Sequence, residues 1–118
     1  MSDLYQEIIL DHVNKPRNFG VMKNPTITLK EANASCGDMV EMQLSIKNDK
    51  ILDVKWRGIG CAISTASASM LSEMLIGKTI KRAKQIKKED LMKEMGLTEI
   101  LPTREKCLVL SLKLVEKL

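Results

Sequence analysis

Residues 40–77, VEMQLSIKNDKILDVKWRGIGCAISTASASMLSEMLIG, change their hydrophobic period at Gly58 and Gly60, and this change indicates the fold. Before the glycines, apolar residues alternate with polar ones, which is typical of half-buried strands. After them, small and apolar residues recur at helical spacing. The second half predicts a helix that begins near Ser64 and ends at Gly77. The stretch therefore predicts strand, strand and helix in that order.

A third predicted strand lies upstream, where Ile27 and Leu29 alternate with polar residues. Asn48 and Asp49 supply the turn between the second and third strands. We expect a meander of three antiparallel strands with one polar face. The inward residues predicted for the second and third strands are Val40, Met42, Leu44, Ile46, Leu52, Val54 and Trp56.

Helices are predicted both before and after these strands in the sequence. The first covers residues 2–14 and is ended by Pro16 and Gly20. Two short helices are predicted at 79–86 and 88–95, and a last helix begins at Pro102. The last helix carries its apolar residues at Leu108, Leu112, Val115 and Leu118. This order predicts the α+β class, with a three-stranded antiparallel sheet and helices packed on one of its faces. The 118 residues are expected to form a single domain, 1–118.

The composition narrows the classes of function. The chain is 44% hydrophobic and 29% charged, and no stretch approaches the ~20 apolar residues of a membrane span. It begins without the basic and apolar regions of a secretion signal, so we expect a cytoplasmic protein with no membrane partner. The aromatic residues are only Tyr5, Phe19 and Trp56, too few for a platform that stacks single-stranded nucleic acid. Nucleic acid is therefore not the expected partner.

The net charge of +4 is concentrated in one segment, residues 78–88, which contains no acidic residue. Such a cluster is most commonly a solvated helix face. The alternatives are a docking face for an acidic partner and weak binding of nucleic acid. The cluster consists of Lys78, Lys81, Arg82, Lys84, Lys87 and Lys88.

Three cysteines, Cys36, Cys61 and Cys107, lie near the ends of predicted elements, where their side chains could converge. An odd number of cysteines without an export signal favours free thiols, metal ligation or thiol chemistry over disulfides. Asp38, two residues after Cys36, could add an oxygen ligand. Three thiolates with a weak fourth ligand suit zinc, copper(I) or iron–sulfur species. Cys107 taken alone is equally well interpreted as a small core residue.

His12 is the single histidine, and it lies late in the first helix beside Asp11. A packing or helix-end role is the main interpretation, and a metal or proton role is the alternative. With one histidine and no nucleophile elbow, a hydrolytic triad has little support. The sequence also lacks a glycine-rich phosphate loop.

At the cysteine motifs the chain resembles the IscU/NifU N-terminal/SufU family of iron–sulfur cluster assembly scaffold proteins, and the match runs nearly end to end. The block around Cys61 is highly specific. The motifs that carry the resemblance are Leu10-Asp11-His12, Pro16-Arg17-Asn18-Phe19-Gly20, Ser35-Cys36-Gly37-Asp38, Gly58-Ile59-Gly60-Cys61-Ala62-Ile63-Ser64, Ala66-Ser67-Ala68-Ser69-Met70, Gly77-Lys78, and Arg104 to Cys107.

The resemblance implies an α+β fold and a single metal or cluster site formed by Cys36, Asp38, Cys61 and Cys107. Family members receive sulfur as persulfide from a pyridoxal-phosphate (PLP)-dependent cysteine desulfurase. They then build a transient [2Fe–2S] cluster for recipient apo iron–sulfur proteins or pass the sulfur onward, and several bind Zn²⁺ at the same ligands. Cys107 is our candidate for the persulfide acceptor, because its helix position could be exposed and Lys106 would favour the thiolate.

Two subtypes remain open. Lys106 stands where scaffold-type members carry a histidine, which favours a SufU-like zinc-dependent sulfurtransferase. The chain is too short for the insertion of about twenty residues that SufU-type members carry, which favours the non-enzymatic scaffold. Leu101-Pro102-Thr103-Arg104-Glu105 stands where the scaffold type presents Leu-Pro-Pro-Val-Lys, so dedicated recognition by an Hsp70-type chaperone is not expected.

Overall fold

The computed structural model describes residues 3–33 and 37–118, with side chains from Gln6 onward. Cys36, one of the predicted ligands, lies outside the described residues. The elements in chain order are α1 (Asp3–Asn14), β1 (Ile27–Asn33), β2 (Asp38–Lys47), β3 (Lys50–Ile59), α2 (Ala62–Leu75), α3 (Ile80–Ala83), α4 (Lys88–Met95) and α5 (Pro102–Val115).

The three strands form an antiparallel sheet in the order β1-β2-β3, as the alternating pattern predicts. The register aligns inward side chains in rows across the strands, one of which is Leu29, Met42 and Trp56. All three of these side chains are buried. Asn48 and Asp49 connect β2 to β3 with φ of 53° and 61°. Positive φ at both central residues is the signature of the type I′ hairpin turn, whose twist matches that of the strands.

The opposite face of the sheet is polar. Glu41 in the central strand pairs with Lys30 of β1 at 3.2 Å and with Arg57 of β3 at 3.1 Å. These residues lie directly across from one another in the register. Opposite charges on facing positions stabilise a sheet and suit a face that meets water. The helices pack on the other face.

One inward position is predicted wrongly. Leu52 is 50% exposed, whereas its neighbour Ile51 is fully buried. The register explains why Ile51 is buried in place of Leu52. Asp53 pairs with Ser45 and Ile51 pairs with Ile46, which leaves Leu52 as an extra residue. A β-bulge of this kind breaks the period of two and turns the extra side chain outward.

The helices differ from the prediction mainly at their ends. α2 begins at Ala62, with Cys61 as its N-terminal cap, two residues before Ser64. α3 contains only Ile80–Ala83, where 79–86 is predicted. The amides of Gln85 and Ile86 bond to carbonyls three residues back, so the chain tightens and leaves the helix. No helix in the described part of the chain is long and apolar enough to cross a membrane.

α2 is the central helix, and it contacts α1, α5 and β3. Its buried face is built largely of small residues, which allow the neighbouring helices to approach closely. α1 packs against it through Ile9 and His12, both buried. The small buried residues of α2 are Ala66, Ser67, Ala68, Ser69 and Ser72.

Two loop segments pair with the outer edge of β3. Near one end, the amide of Trp56 donates to the carbonyl of Asn18, and the amide of Gly20 donates to the carbonyl of Trp56. Near the other end, the amide of Ile51 donates to the carbonyl of Lys78, and the amide of Gly77 donates to the carbonyl of Ile51. These bonds hold residues 18–20 and 77–78 against the strand.

Candidate functional site

Three of the four predicted ligands come together at one end of the sheet. Asp38 is the first residue of β2, Cys61 caps the N-terminus of α2, and Cys107 lies in the second turn of α5. Their ligand atoms all lie within 4.8 Å of one another. Residues far apart in the sequence thus meet because a strand start and two helix starts share one corner of the fold.

The three side chains differ in their access to solvent. Asp38 is 6% exposed and Cys107 is 5% exposed, whereas Cys61 is only half-buried. The burial of Cys107 differs from the exposure that its helix position suggests. The cause is the packing of α5, whose inward face contacts α2, β1 and β2. Solvent therefore reaches this corner mainly at Cys61.

Ser64 is a site residue, although the sequence pattern predicts it only as a helix cap. Its hydroxyl donates a hydrogen bond of 2.5 Å to Oδ2 of Asp38 and lies 3.4 Å from the backbone carbonyl of Cys107. The thiol of Cys61 points to the same hydroxyl at 3.8 Å. A polar residue one turn into a helix whose cap is a ligand faces that ligand. The spacing of Cys61 and Ser64 is therefore a signal that could have identified it.

The two glycines before Cys61 are explained by close approach. A Cβ atom on Gly60 would lie 2.8 Å from Cβ of Ser64 and 3.2 Å from Cγ of Asp38. A Cβ atom on Gly58 would lie 2.4 Å from the carbonyl oxygen of Met39. The absence of side chains at these positions lets the end of β3 run against β2 and the start of α2.

The sequence profile of the NifU-like N terminal domain matches residues 4–117. The chain belongs to this family. The match covers all of the described secondary structure except the first residue of α1.

Two relatives and one solved structure are similar to this chain in sequence or in fold. The zinc-dependent sulfurtransferase SufU of Bacillus subtilis is 36% identical, over 99% of this chain and 90% of its own length. The iron–sulfur cluster assembly protein IscU of Plasmodium falciparum is 36% identical over 81% of this chain, and the match spans 61% of that protein. A crystal structure from Fervidobacterium islandicum, of a candidate iron–sulfur cluster assembly scaffold protein for the SUF system, has a TM-score of 0.82 and 30% identity. That match covers 97% of this chain and 95% of the other.

The two thiols of this NifU-like domain have opposite electrostatic environments. Burial tends to raise the pKa of the Cys61 thiol, but the backbone amide of Ser64 and the thiol of Cys107 outweigh burial and lower the pKa. Burial also raises the pKa of Cys107, and the neighbouring Cys61 and Asp38 raise it further, to about 12. Lys106 is exposed and does not offset this burial. Cys61 is therefore the readier thiolate when the site holds no ion.

The donor set suits a soft or borderline metal ion. Zinc binds thiolates at about 2.3 Å and carboxylates at about 2.0 Å, so its tetrahedral ligands stand roughly 3.3–3.8 Å apart. The ligand atoms of Asp38, Cys61 and Cys107 already lie within 4.8 Å of one another, so each pair needs to close by about 1.5 Å at most. Two sulfur atoms and one oxygen leave a position for a further ligand. Among the described residues, this is the only group of histidine, cysteine and acidic side chains arranged to hold an ion.

His12 is separate from this group. Its Nδ1 lies 2.7 Å from the hydroxyl of Ser69, which also accepts a hydrogen bond of 2.8 Å from the amide of Arg17. Burial and the Arg17 charge lower the pKa of His12. This arrangement matches the packing interpretation, in which a neutral histidine joins α1 to α2 and to the loop after α1.

Proposed function

We propose that this protein is an iron–sulfur cluster assembly scaffold. It accepts persulfide sulfur from a PLP-dependent cysteine desulfurase, builds a [2Fe–2S] cluster, and transfers the cluster to recipient apoproteins. The observation that carries the proposal is the convergence of Asp38, Cys61 and Cys107 at a corner that opens at Cys61. The assembly proteins among the relatives support the same assignment.

The proposed ligands are Cys36, Asp38, Cys61 and Cys107. Thiolates are the ligands that iron–sulfur clusters prefer, and a carboxylate oxygen binds the same soft centre more weakly. A scaffold has to release its product, so one weak ligand among strong ones serves the function. Ser64 orients the carboxylate through its hydrogen bond to Oδ2. The cluster is cargo of this site and not a permanent part of the protein.

The sequence assigns sulfur acceptance to Cys107, and we retain that assignment as part of the proposal. The Cys107 thiolate attacks the outer sulfur of the desulfurase persulfide; a new S–S bond forms on Cys107, and the desulfurase cysteine leaves as its thiolate. Because Cys107 is 5% exposed, the docked desulfurase has to open the start of α5. Cys61 is the competing acceptor, since its thiol is more accessible.

Sulfur acceptance is tested with three single variants, Cys36→Ser, Cys61→Ser and Cys107→Ser, and mass spectrometry of the persulfide after reaction with desulfurase and cysteine. Loss of the persulfide in Cys107→Ser alone supports Cys107. Loss in Cys61→Ser alone moves the role to Cys61.

Cluster assembly is tested by an anaerobic reaction with ferrous iron, cysteine, a cysteine desulfurase and a thiol reductant, which supplies the electrons that convert persulfide sulfur to cluster sulfide. Visible spectroscopy of the re-isolated protein follows. The expected result is a cluster chromophore at about one [2Fe–2S] per chain or per dimer that passes to an apo-ferredoxin. Cys61→Ser should lose the chromophore, whereas Thr28→Ser on the exposed sheet face should keep it. A colourless wild-type protein would overturn the scaffold proposal.

A second candidate function is a zinc-dependent sulfurtransferase. The Bacillus subtilis relative with that name matches 99% of this chain, and Lys106 stands at the position that favours this subtype. Zn²⁺ would be held by the same four residues, and one thiolate would leave it to accept sulfur by thiol exchange. A colourless protein that keeps its zinc and accelerates desulfurase turnover would support this function over the scaffold.

The cytoplasmic location also remains a prediction. Dedicated chaperone recognition is not part of the proposal.

A further inference from the structure

A groove of about 760 Å³ lies apart from the cysteine corner. Residues 84–89, which connect α3 to α4 and begin α4, form one wall of the groove. Lining residues between 109 and 117, from α5 and the turn that follows it, form the other wall, and Glu31 of β1 also lines the groove. The groove lining includes neither Asp38 nor either described cysteine. A molecule bound there would therefore not occupy the candidate metal site.

The floor of the groove is apolar and partly open to water. Ile86, Val109 and Leu112 line it, and all three are only half-buried. Val109, Leu112 and the buried Val115 are spaced three residues apart, so they follow one face of α5. Apolar side chains at the bottom of an open groove gain free energy when a partner covers them.

The rim of the groove is rich in lysine. Lys88 pairs with Glu105, and Lys117 pairs with Glu31 at 2.9 Å. The other three rim lysines are exposed and form no ion pair within residues 3–33 and 37–118. They are Lys84, Lys87 and Lys113.

The net charge of the residues that line the groove is positive. Five lysines line it against three glutamates, and two of the lysines are already paired. The effect is visible on Glu31, because the hydrogen bond from Lys117 and the charge of Lys113 lower the pKa of its carboxyl. Lys81 and Arg82 of α3 add exposed positive charge just before the first wall.

We propose that this groove is a docking site for an acidic segment of a partner protein. Apolar side chains of the segment would cover Ile86, Val109 and Leu112, and its carboxylates would meet Lys84, Lys87 and Lys113. Charge complementarity of this kind steers association and selects the partner. The assignment is independent of the proposed iron–sulfur function, since it uses none of the proposed ligands.

The same observations disfavour other occupants. No aromatic side chain lines the groove to stack a base, which disfavours a single-stranded nucleic acid. A flat bilayer surface would rest on the charged rim and leave the apolar floor of the groove uncovered. A protein segment can instead place apolar and acidic side chains alternately into the groove.

The test is binding of a fluorescein-labelled peptide of about twelve residues, built from repeated Glu-Glu-Leu-Leu, measured by fluorescence anisotropy at low and moderate salt. We expect saturable binding to the full chain that weakens as salt increases. The double variant Lys87→Glu, Lys113→Glu should weaken binding about tenfold or more. Circular dichroism should show an unchanged fold, because both lysines are exposed.

The matched control is Lys23→Glu, Lys47→Glu, which makes the same change of net charge at exposed positions outside the groove. This control should bind the peptide within about twofold of the wild-type protein. Equal weakening in both double variants would show a non-specific charge effect and overturn the proposal. Absence of peptide binding, or tighter binding of a DNA duplex or of phosphatidylserine vesicles that the groove variant alone abolishes, would overturn it as well.

Discussion

The hydroxyl of Ser64 donates a hydrogen bond of 2.5 Å to Oδ2 of Asp38, across 26 positions of sequence. The bond joins the first turn of α2 to the first residue of β2. Because Asp38 is buried, the orientation of its carboxylate is set by this contact before an ion arrives. Ser64 thereby acts on the candidate site as a positioning residue.

Removal of this hydroxyl should weaken metal binding without unfolding the protein. Ser64→Ala leaves the Asp38 carboxylate without its donor, and partners of this kind are worth roughly 10–100-fold in metal affinity. The measurement is the zinc affinity from competition with a chromophoric chelator. Thr65→Ala, one position along the same helix, is the matched control and should retain wild-type affinity. Equal affinity in Ser64→Ala and wild type would contradict the positioning role.

The two described cysteines should react at different rates in the metal-free protein. Cys61 is half-buried with a lowered pKa, whereas Cys107 is buried and its pKa is raised to about 12. Since the thiolate is the reactive form, iodoacetamide near neutral pH should modify Cys61 at least about tenfold faster. Peptide mapping by mass spectrometry at timed intervals measures both rates. Faster labelling of Cys107 would mean that α5 opens readily in solution.

A methyl group at residue 60 should disturb the site through packing. Gly60→Ala places a Cβ atom 2.8 Å from Cβ of Ser64, and we expect a loss of about 1–3 kcal/mol in unfolding free energy together with weaker zinc binding. Gly77→Ala is the comparison, because its φ of 89° strains the backbone but nothing lies near its Cβ. That variant should lose stability and keep zinc affinity. If both variants keep wild-type zinc affinity, the close approach at Gly60 has no role in the site.

His12 should make stability depend on pH below about pH 6.5. Burial and Arg17 lower its pKa in the folded state, and the charges of Glu73 and Asp11 only partly oppose them. The unfolded chain therefore takes up the proton first, near pH 6.5, so the free energy of unfolding falls as pH decreases below that value. Urea unfolding across this range measures the slope. His12→Asn should make the unfolding free energy nearly independent of pH in this range, since the chain has no other histidine. An unchanged slope would show that carboxylates, and not His12, cause the pH dependence.

The strands and most helices follow from the sequence because their signals are local. Alternation in β2 and the positive-φ turn at Asn48 and Asp49 depend on near neighbours. The bulge at Leu52 depends instead on the pairing register between two strands. A prediction based on a strict period of two cannot detect it. The end of α3 is different, because it depends on local bonds that tighten the chain after Ala83, and no glycine or proline in residues 79–86 marks it in the sequence.

At the site, sequence spacing identifies the types of ligand but not their environment. Asp38, Cys61 and Cys107 lie close together in the fold, and their role as ligands stays a prediction. The burial of Cys107 fits the interpretation of this residue, taken alone, as a small core residue, and it results from how α5 packs against the sheet and α2. In the lysine-rich groove, the basic segment is visible in the sequence, but Val109 and Leu112 of the apolar floor come from α5, which is distant in the sequence.

The bonds from residues 18–20 and 77–78 to β3 have a consequence for how the protein meets other chains. An open strand edge is a template on which any extended peptide can add a further strand. Here Asn18 and Gly20 occupy the backbone groups of Trp56, and Gly77 and Lys78 occupy those of Ile51. An added strand along β3 would have to displace both loops. Self-association into extended sheets is therefore disfavoured on this side, and recognition there falls to side chains and surface shape.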